Sequence, residues 1–213
     1  QLDLGHNFDK NKINDWLFKI IKKNKIKDAF IRMFIVGDVI NNKKADLYIV
    51  PIGGLTFYPD KFYKEGVKVI TYKGERHFPN IKSKDLLLSF VALREAKSRG
   101  CLEALMVDED GFVREGTRTN FYVLKDNKII TPPQAKVLEG ITKKMLKEAV
   151  GSEFEIIEDD VNLNELSNYD GLFLTSTTMN VMPIASVDGV GCKLDTEKIK
   201  KIQKMYKEYI NDF

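Results

Sequence analysis

The sequence predicts an α+β fold in two parts. Helix-like and strand-like patterns follow one another irregularly along the 213 residues, without the β-α-β repeat of a doubly wound sheet. Hydrophobic residues make up 43% of the chain and charged residues 31%, which allows a packed core and argues against disorder. A polar, aperiodic stretch over 74–84, carrying Pro79, reads as a connection between the parts.

The elements follow in order. Ile13, Trp16, Leu17, Ile20 and Ile21 recur at helical spacing, with lysines gathered toward position 27, and predict a helix over 10–23. Strand patterns cover 29–36 and 46–51, with Asn41-Asn42 turn chemistry between them, and then 67–72. Residues 1–75 form the first part, 76–84 the connection and 85–213 the second part. In the second part, Ser83 or Asp85 caps a helix whose apolar side is Leu86, Leu87, Phe90, Val91 and Leu93, and Gly100 ends it. Short strands with tight turns come next, over 104–107, 112–114, 120–124 and 128–130, with Asp126-Asn127 turning the last pair. A helix over 141–149 precedes strands over 154–158, 171–175 and 182–187, and Asp188-Gly189 turns after them. The final helix, 196–210, buries Ile199, Ile202, Met205, Tyr206 and Tyr209.

Composition narrows the chemistry. With 34 Lys+Arg against 31 Asp+Glu, interspersed, the net charge of +3 gives no electrostatic footprint for nucleic acid. No apolar run approaches the roughly 20 residues of a membrane span. Two cysteines and two histidines are too few and too scattered for a zinc site or a disulfide scaffold, so no metal is expected. A Ser-His-Asp or Cys-His enzyme would have to use His6 or His77.

Four features carry possible chemistry. Thr175, Ser176, Thr177 and Thr178 offer hydroxyls at the end of an apolar strand, although a polar turn explains them equally. Gly140-Ile141-Thr142 opens a helix, whose free N–H groups suit an anion, as does any helix start. Glu115 and Asn120 stand in a β-rich stretch, where a surface hairpin would account for them. Lys82 and Lys84 lie in the connection and share strand parity, so alternation does not separate them.

Together these features resemble the signature of the fold-type IV pyridoxal-phosphate enzymes. That family holds the branched-chain and D-amino-acid aminotransferases and aminodeoxychorismate lyase. The resemblance lies in the run from Glu115 through Asn120-Phe121-Tyr122, then Ile130-Thr131-Pro132-Pro133, then Leu138-Glu139-Gly140-Ile141-Thr142-Lys143. Ile81-Lys82-Ser83 ahead of a helix, and Leu172 through Thr178 followed by Val181-Met182-Pro183, agree with it.

The resemblance implies an α+β, two-domain enzyme with a truncated N-terminal α/β domain and a β-rich C-terminal domain with flanking helices. It also implies pyridoxal 5′-phosphate as cofactor, a homodimer and a cytoplasmic setting. Lys82 would bond the cofactor and shuttle the substrate proton, and Lys84 matches no family lysine. Glu115 would face the ring nitrogen, supported by Asn120, and Leu138 would lie against the ring. Ile141 and Thr142 on one side, Thr177 and Thr178 on the other, would hold the phosphate. Lys143 stands where the family often has Arg, and Arg118 is not typical of its block. Arg32 resembles a substrate-carboxylate arginine of branched-chain aminotransferases, with Met33 and Phe30 in place of the usual Pro and Tyr. Asn180 replaces a usual Glu, and Val181-Met182-Pro183 is similar to lyase members. Three readings stand: a transaminase joining an amino acid to a 2-oxo acid, a lyase, and a non-catalytic binding domain. The chain opens on Gln1, where family members carry a further β-rich segment that brings an arginine to the phosphate and an aromatic residue to the substrate pocket. A longer protein is therefore expected.

Overall fold

A computed structural model describes residues 7–38, 43–54 and 58–212. By its contacts the chain divides into two units, 1–57 and 58–213. The stretch 74–84 runs between a strand and a helix of the second unit.

In the first unit, helix α1 spans Lys10–Lys23, as the periodicity predicts, and the Asp9 carboxylate caps it by accepting the Asn11 N–H. Strands β1 (Phe30–Asp38) and β2 (Lys43–Ile52) pair antiparallel, with Phe34 stacked on Tyr48 at 5.1 Å between ring centres. The Asn41-Asn42 turn lies outside the described residues.

The second unit is built on a closed ring of strands. Strand β3 (Val67–Lys73) follows a six-residue helix α2 (Asp60–Glu65), too short to show a period in the sequence. Helix α3 (Leu87–Ser98) leads to β4 (Glu103–Val107), β5 (Phe112–Gly116), β6 (Asn120–Lys125) and β7 (Lys128–Thr131). Helix α4 (Ile141–Val150), β8 (Glu155–Glu158), β9 (Val161–Asn162), β10 (Gly171–Ser176), β11 (Asn180–Val187), β12 (Val190–Gly191) and helix α5 (Thr196–Asn211) complete it. The ring runs β6-β10-β11-β3-β4-β5 and returns to β6. Only β11–β3 and β3–β4 are parallel pairs among its six contacts. The last contact consists of one residue pair, Glu115 with Asn120.

Strand alternation sorts the side chains. Val69, Leu105, Val113, Phe121, Leu174 and Met182 point inward and fill the barrel. On the outside, Tyr122 and Phe173 stack at 4.8 Å beneath Leu146 of α4 and Ile202 and Tyr206 of α5. A second outer patch, Ile70 and Ala104, lies under Ala92 and Ala96 of α3.

Helix α3 departs from its sequence reading. Its packed face is Ser89, Ala92 and Ala96, whereas Leu87 and Phe90 are 72% and 63% exposed and Leu86 is exposed as well. Small residues let the helix approach the sheet closely, which a hydropathy pattern does not reveal. Its N-cap is Leu86, without a side-chain hydrogen bond; Ser83 Oγ instead accepts the Asp85 N–H. On α5, Ile199, Ile202 and Tyr206 are buried, while Met205 and Tyr209 are only half-buried, at the edge of the apolar stripe.

One buried ion cluster ties the barrel's rim. Asp108 accepts the N–H groups of Asp110 (3.1 Å) and Phe112 (2.9 Å) and Nε of Arg114 (2.6 Å). Arg114, 3% exposed, also bonds Asp160. Burial pushes the Asp108 carboxyl up, but the Phe112 N–H and the Arg114 guanidinium outweigh it and hold it below the usual carboxylate range. The stabilisation is therefore complete above the unfolded value, near pH 4, and is lost as pH falls through the lower folded value. Asp108→Asn should cost about 3 kcal/mol at pH 7, because it strands part of the Arg114 charge. Urea unfolding should show the variant losing less stability than wild type between pH 4 and 2.

Candidate active site

The single pair that closes the barrel is also where its polar residues gather. The β4–β5 register runs Val107 to Val113, then Met106 to Glu115, so Arg114 is an extra residue. This bulge turns Glu115 away from the inward face of Val113 to the outer face, beside Met106. Asn120 pairs with Glu115 and with Thr175 of β10, on the same face.

Glu115 and Asn120 together clamp one backbone residue. The Leu138 N–H donates to Glu115 Oε2 at 3.2 Å, and Asn120 Nδ2 donates to the Leu138 carbonyl at 2.9 Å. Glu115 Oε1 accepts Nε of Arg76 at 2.7 Å. Burial raises the Glu115 carboxyl, and the Arg76 charge and Leu138 N–H offset only part of that rise. Two residues beyond Leu138, Gly140 lies so close to Asn120 that a Cβ there would stand 2.4 Å from Oδ1.

Gly140 is the N-cap of α4 and brings no side chain to it. The helix start thus presents Ile141, Thr142 and Lys143 backbone N–H groups at its positive end. Ile141 is 75% exposed, while Thr142 is buried beside Tyr206 of α5. Lys143 is buried too. Its Nζ lies 3.6 Å from Glu158 and 3.5 Å from the Pro132 carbonyl, and burial lowers its pKa against the pull of Glu158. On the other side of Asn120, β10 ends in a turn closed by the Met179 N–H on Ser176. Thr177 and Thr178 are exposed in that turn.

The structure therefore brings together Glu115, Asn120, Leu138, Ile141 and Thr142, and sets the Thr177-Thr178 turn after the strand that flanks Asn120. Lys82 is exposed on the β3–α3 loop, as is Lys84. That loop is tied down by Arg76 on Glu115 and by Asn80 Nδ2 on the Ala135 carbonyl (3.5 Å). Arg32 is exposed on β1 of the first unit, opposite Val50. Sequence reasoning missed Arg76, which stands in an aperiodic stretch. The one available signal was the need of a buried strand carboxylate for a cation. Among the described residues no cluster of His, Cys, Asp and Glu is placed to hold a metal, and no helix is long and apolar enough to cross a membrane.

Comparison with known proteins gives a consistent picture. A family model described as amino-transferase class IV matches residues 1–187, and the chain belongs to that family. A branched-chain-amino-acid aminotransferase of Pseudomonas aeruginosa is 29% identical over 219 aligned positions, covering 96% of this chain and 71% of its own. A D-alanine aminotransferase of Bacillus licheniformis is 38% identical over 134, covering 62% of this chain and 47% of its own. The fold is shared with a hypothetical aminotransferase from Mycobacterium tuberculosis, solved in its α-ketoglutarate- and PMP-bound form. Its TM-score is 0.75 at 17% identity, over 94% of this chain and 77% of that one.

Pyridoxal 5′-phosphate is the cofactor of this family. The residues present fit such a group: an uncapped helix start and exposed hydroxyls for a phosphate, and a buried carboxylate for a ring nitrogen. Gly140 is part of that cradle. Its φ of −82° suits any residue, so the obstacle to Gly140→Ala is Asn120 alone. The substitution should cost about 1–3 kcal/mol by overpacking. In a double-mutant cycle with Asn120→Ala, chemical denaturation should show the pair costing at least about 1 kcal/mol less than the sum of the singles.

Proposed function

We propose that this protein transfers the amino group of an amino acid to a 2-oxo acid, with Lys82 as the catalytic lysine and Glu115 as the partner of the cofactor's ring nitrogen. The observation that carries this reading is the clamp of Glu115 and Asn120 on Leu138 beside the open start of α4. It sets a buried carboxylate next to an anion-binding helix end, the two polar demands of a pyridine ring bearing a phosphate. When bound, the cofactor supplies an electron sink for the substrate's α-carbon.

Each residue then has a task. Lys82 anchors the cofactor covalently and its Nζ moves the α-proton. Glu115 holds a proton on the ring nitrogen. Arg76 keeps Glu115 ionised in a site whose burial favours the neutral acid. Leu138 is fixed by its backbone so that its side chain packs on the ring. The Ile141 and Thr142 N–H groups and the Thr177 and Thr178 hydroxyls hold the phosphate. Arg32 receives a substrate carboxylate, and the active species is a homodimer.

Branched-chain substrates are favoured by the named relatives, which include several branched-chain aminotransferases. The departure at Asn180 has a local cause. Its φ is +52°, in the left-handed region where Asn is well tolerated, so backbone conformation is reason enough for Asn there. Assay of purified protein with valine, leucine, isoleucine and D-alanine against 2-oxoglutarate tests the reading. Glutamate formation from a branched-chain donor is expected. Release of pyruvate from aminodeoxychorismate without any amino acceptor, or no cofactor-dependent turnover, would overturn it. Borohydride reduction should fix the cofactor to wild type and to Lys84→Ala but not to Lys82→Ala.

Glu115→Gln should retain cofactor and lose roughly two to four orders of magnitude in turnover, as when a main electrostatic stabiliser is removed. Arg76→Met removes the cation that opposes protonation of Glu115, so the carboxyl should titrate at higher pH than in wild type. The acid limb of the pH–rate profile should shift upward accordingly.

A further inference from the structure

Glu103 is a buried carboxyl that the proposed mechanism leaves unused. It sits at the start of β4 opposite Val69, on the inward face, and is 0% exposed. Its Oε1 accepts three donors: the Ala104 N–H at 2.9 Å, the Thr117 N–H at 3.2 Å and the Thr117 hydroxyl. Thr117 belongs to the four-residue turn, 116–119, between Glu115 and Asn120. The same turn is held by the Gly116 N–H on the Thr119 carbonyl and the Thr117 N–H on the Ala104 carbonyl. Gly116 has no room for a side chain, since a Cβ would stand 2.0 Å from Thr119 Oγ1 and 3.1 Å from Glu103 Cγ. Two atoms in this packed corner, Glu103 Oε2 and Thr119 Oγ1, are buried with no hydrogen-bond partner.

We propose that Glu103 is a positioning residue for the active site: its carboxyl holds the 116–119 turn in the shape that sets Glu115 beside Asn120. The inference rests on the reading of Glu115 and Asn120 as cofactor-site residues. The barrel closes through this one residue pair, and the 116–119 turn is the covalent link between its two members, so the shape of the turn sets how they meet. No other side chain makes hydrogen bonds to the turn's backbone among the described residues. Burial raises the pKa of this carboxyl, against the Thr117 hydroxyl, the Ala104 N–H and the Arg118 charge.

The test compares Glu103→Ala and Glu103→Gln with wild type. Glutamine keeps the acceptor for Thr117 and Ala104 and puts an amide N–H in place of Oε2. Three measurements are made on the whole protein: amide hydrogen exchange, pyridoxal phosphate binding by absorbance titration, and kcat and KM. Glu103→Ala should speed exchange of the Leu138 N–H, the group bonded to Glu115, by about tenfold. Exchange in α5 should stay as in wild type. Cofactor affinity should weaken by about tenfold, and kcat should fall up to about a hundredfold with little change in KM. Glu103→Gln should stay close to wild type in all three. If Glu103→Ala fails to fold, the near-isosteric Thr117→Val removes one donor to the same oxygen and should speed Leu138 exchange in the same direction. A folded Glu103→Ala with wild-type Leu138 exchange and cofactor affinity, or a Glu103→Gln as impaired as Glu103→Ala, would overturn the proposal. Exchange and cofactor binding need no turnover. A wild type that fails to transaminate would therefore count against the function and leave this inference open to its own readouts.

Discussion

The second unit depends on how its barrel is closed. A sheet that curls into a ring removes its exposed edges only if the last two strands meet. Here they meet at one residue pair, Glu115 with Asn120. Both residues are polar and both face outward, so the weakest seam of the ring is also its most polar point. The surrounding structure is arranged to hold that seam. Arg76 reaches it from the β3–α3 loop, and the backbone of Leu138 is pinned across it from the approach to α4.

A β-bulge makes this possible. In an unbulged strand, strict alternation would put Glu115 on the inward face with Val113 and bury its charge among the leucines and valines of the barrel. With the bulge, the strand delivers an apolar residue inward and a carboxylate outward within three positions. Arg114 itself is absorbed by Asp108 and Asp160, so each buried charge here has an opposite partner.

The same logic explains why the helices pack as they do. α4 and α5 cover one outer patch with large side chains, while α3 covers another with alanines. Glu115 and Asn120, both buried, face outward from the barrel beside the open start of α4. A bulkier residue than Gly140 would run into Asn120 of that seam.

The sequence by itself determined most of the elements. The helical period set α1 at 10–23, and strand patterns set 120–124 and 171–175, within β6 and β10. Ordered motifs were enough to single out Glu115, Asn120, Leu138, Ile141 and Thr142, because these lie in short runs whose spacing survives in one dimension. Periodicity, however, tells which residues share a face and not which face is packed. Leu86, Leu87 and Phe90 were therefore assigned to a core that belongs to Ala92 and Ala96. Arg76 stayed invisible because its partner is 39 residues away, and the burial that makes the pair necessary exists only once the barrel has closed. Glu103, just ahead of the strand read over 104–107, carried no signal in the sequence for the same reason. Its role comes from the turn it faces, and only tertiary structure brings a turn at 116–119 against the start of β4.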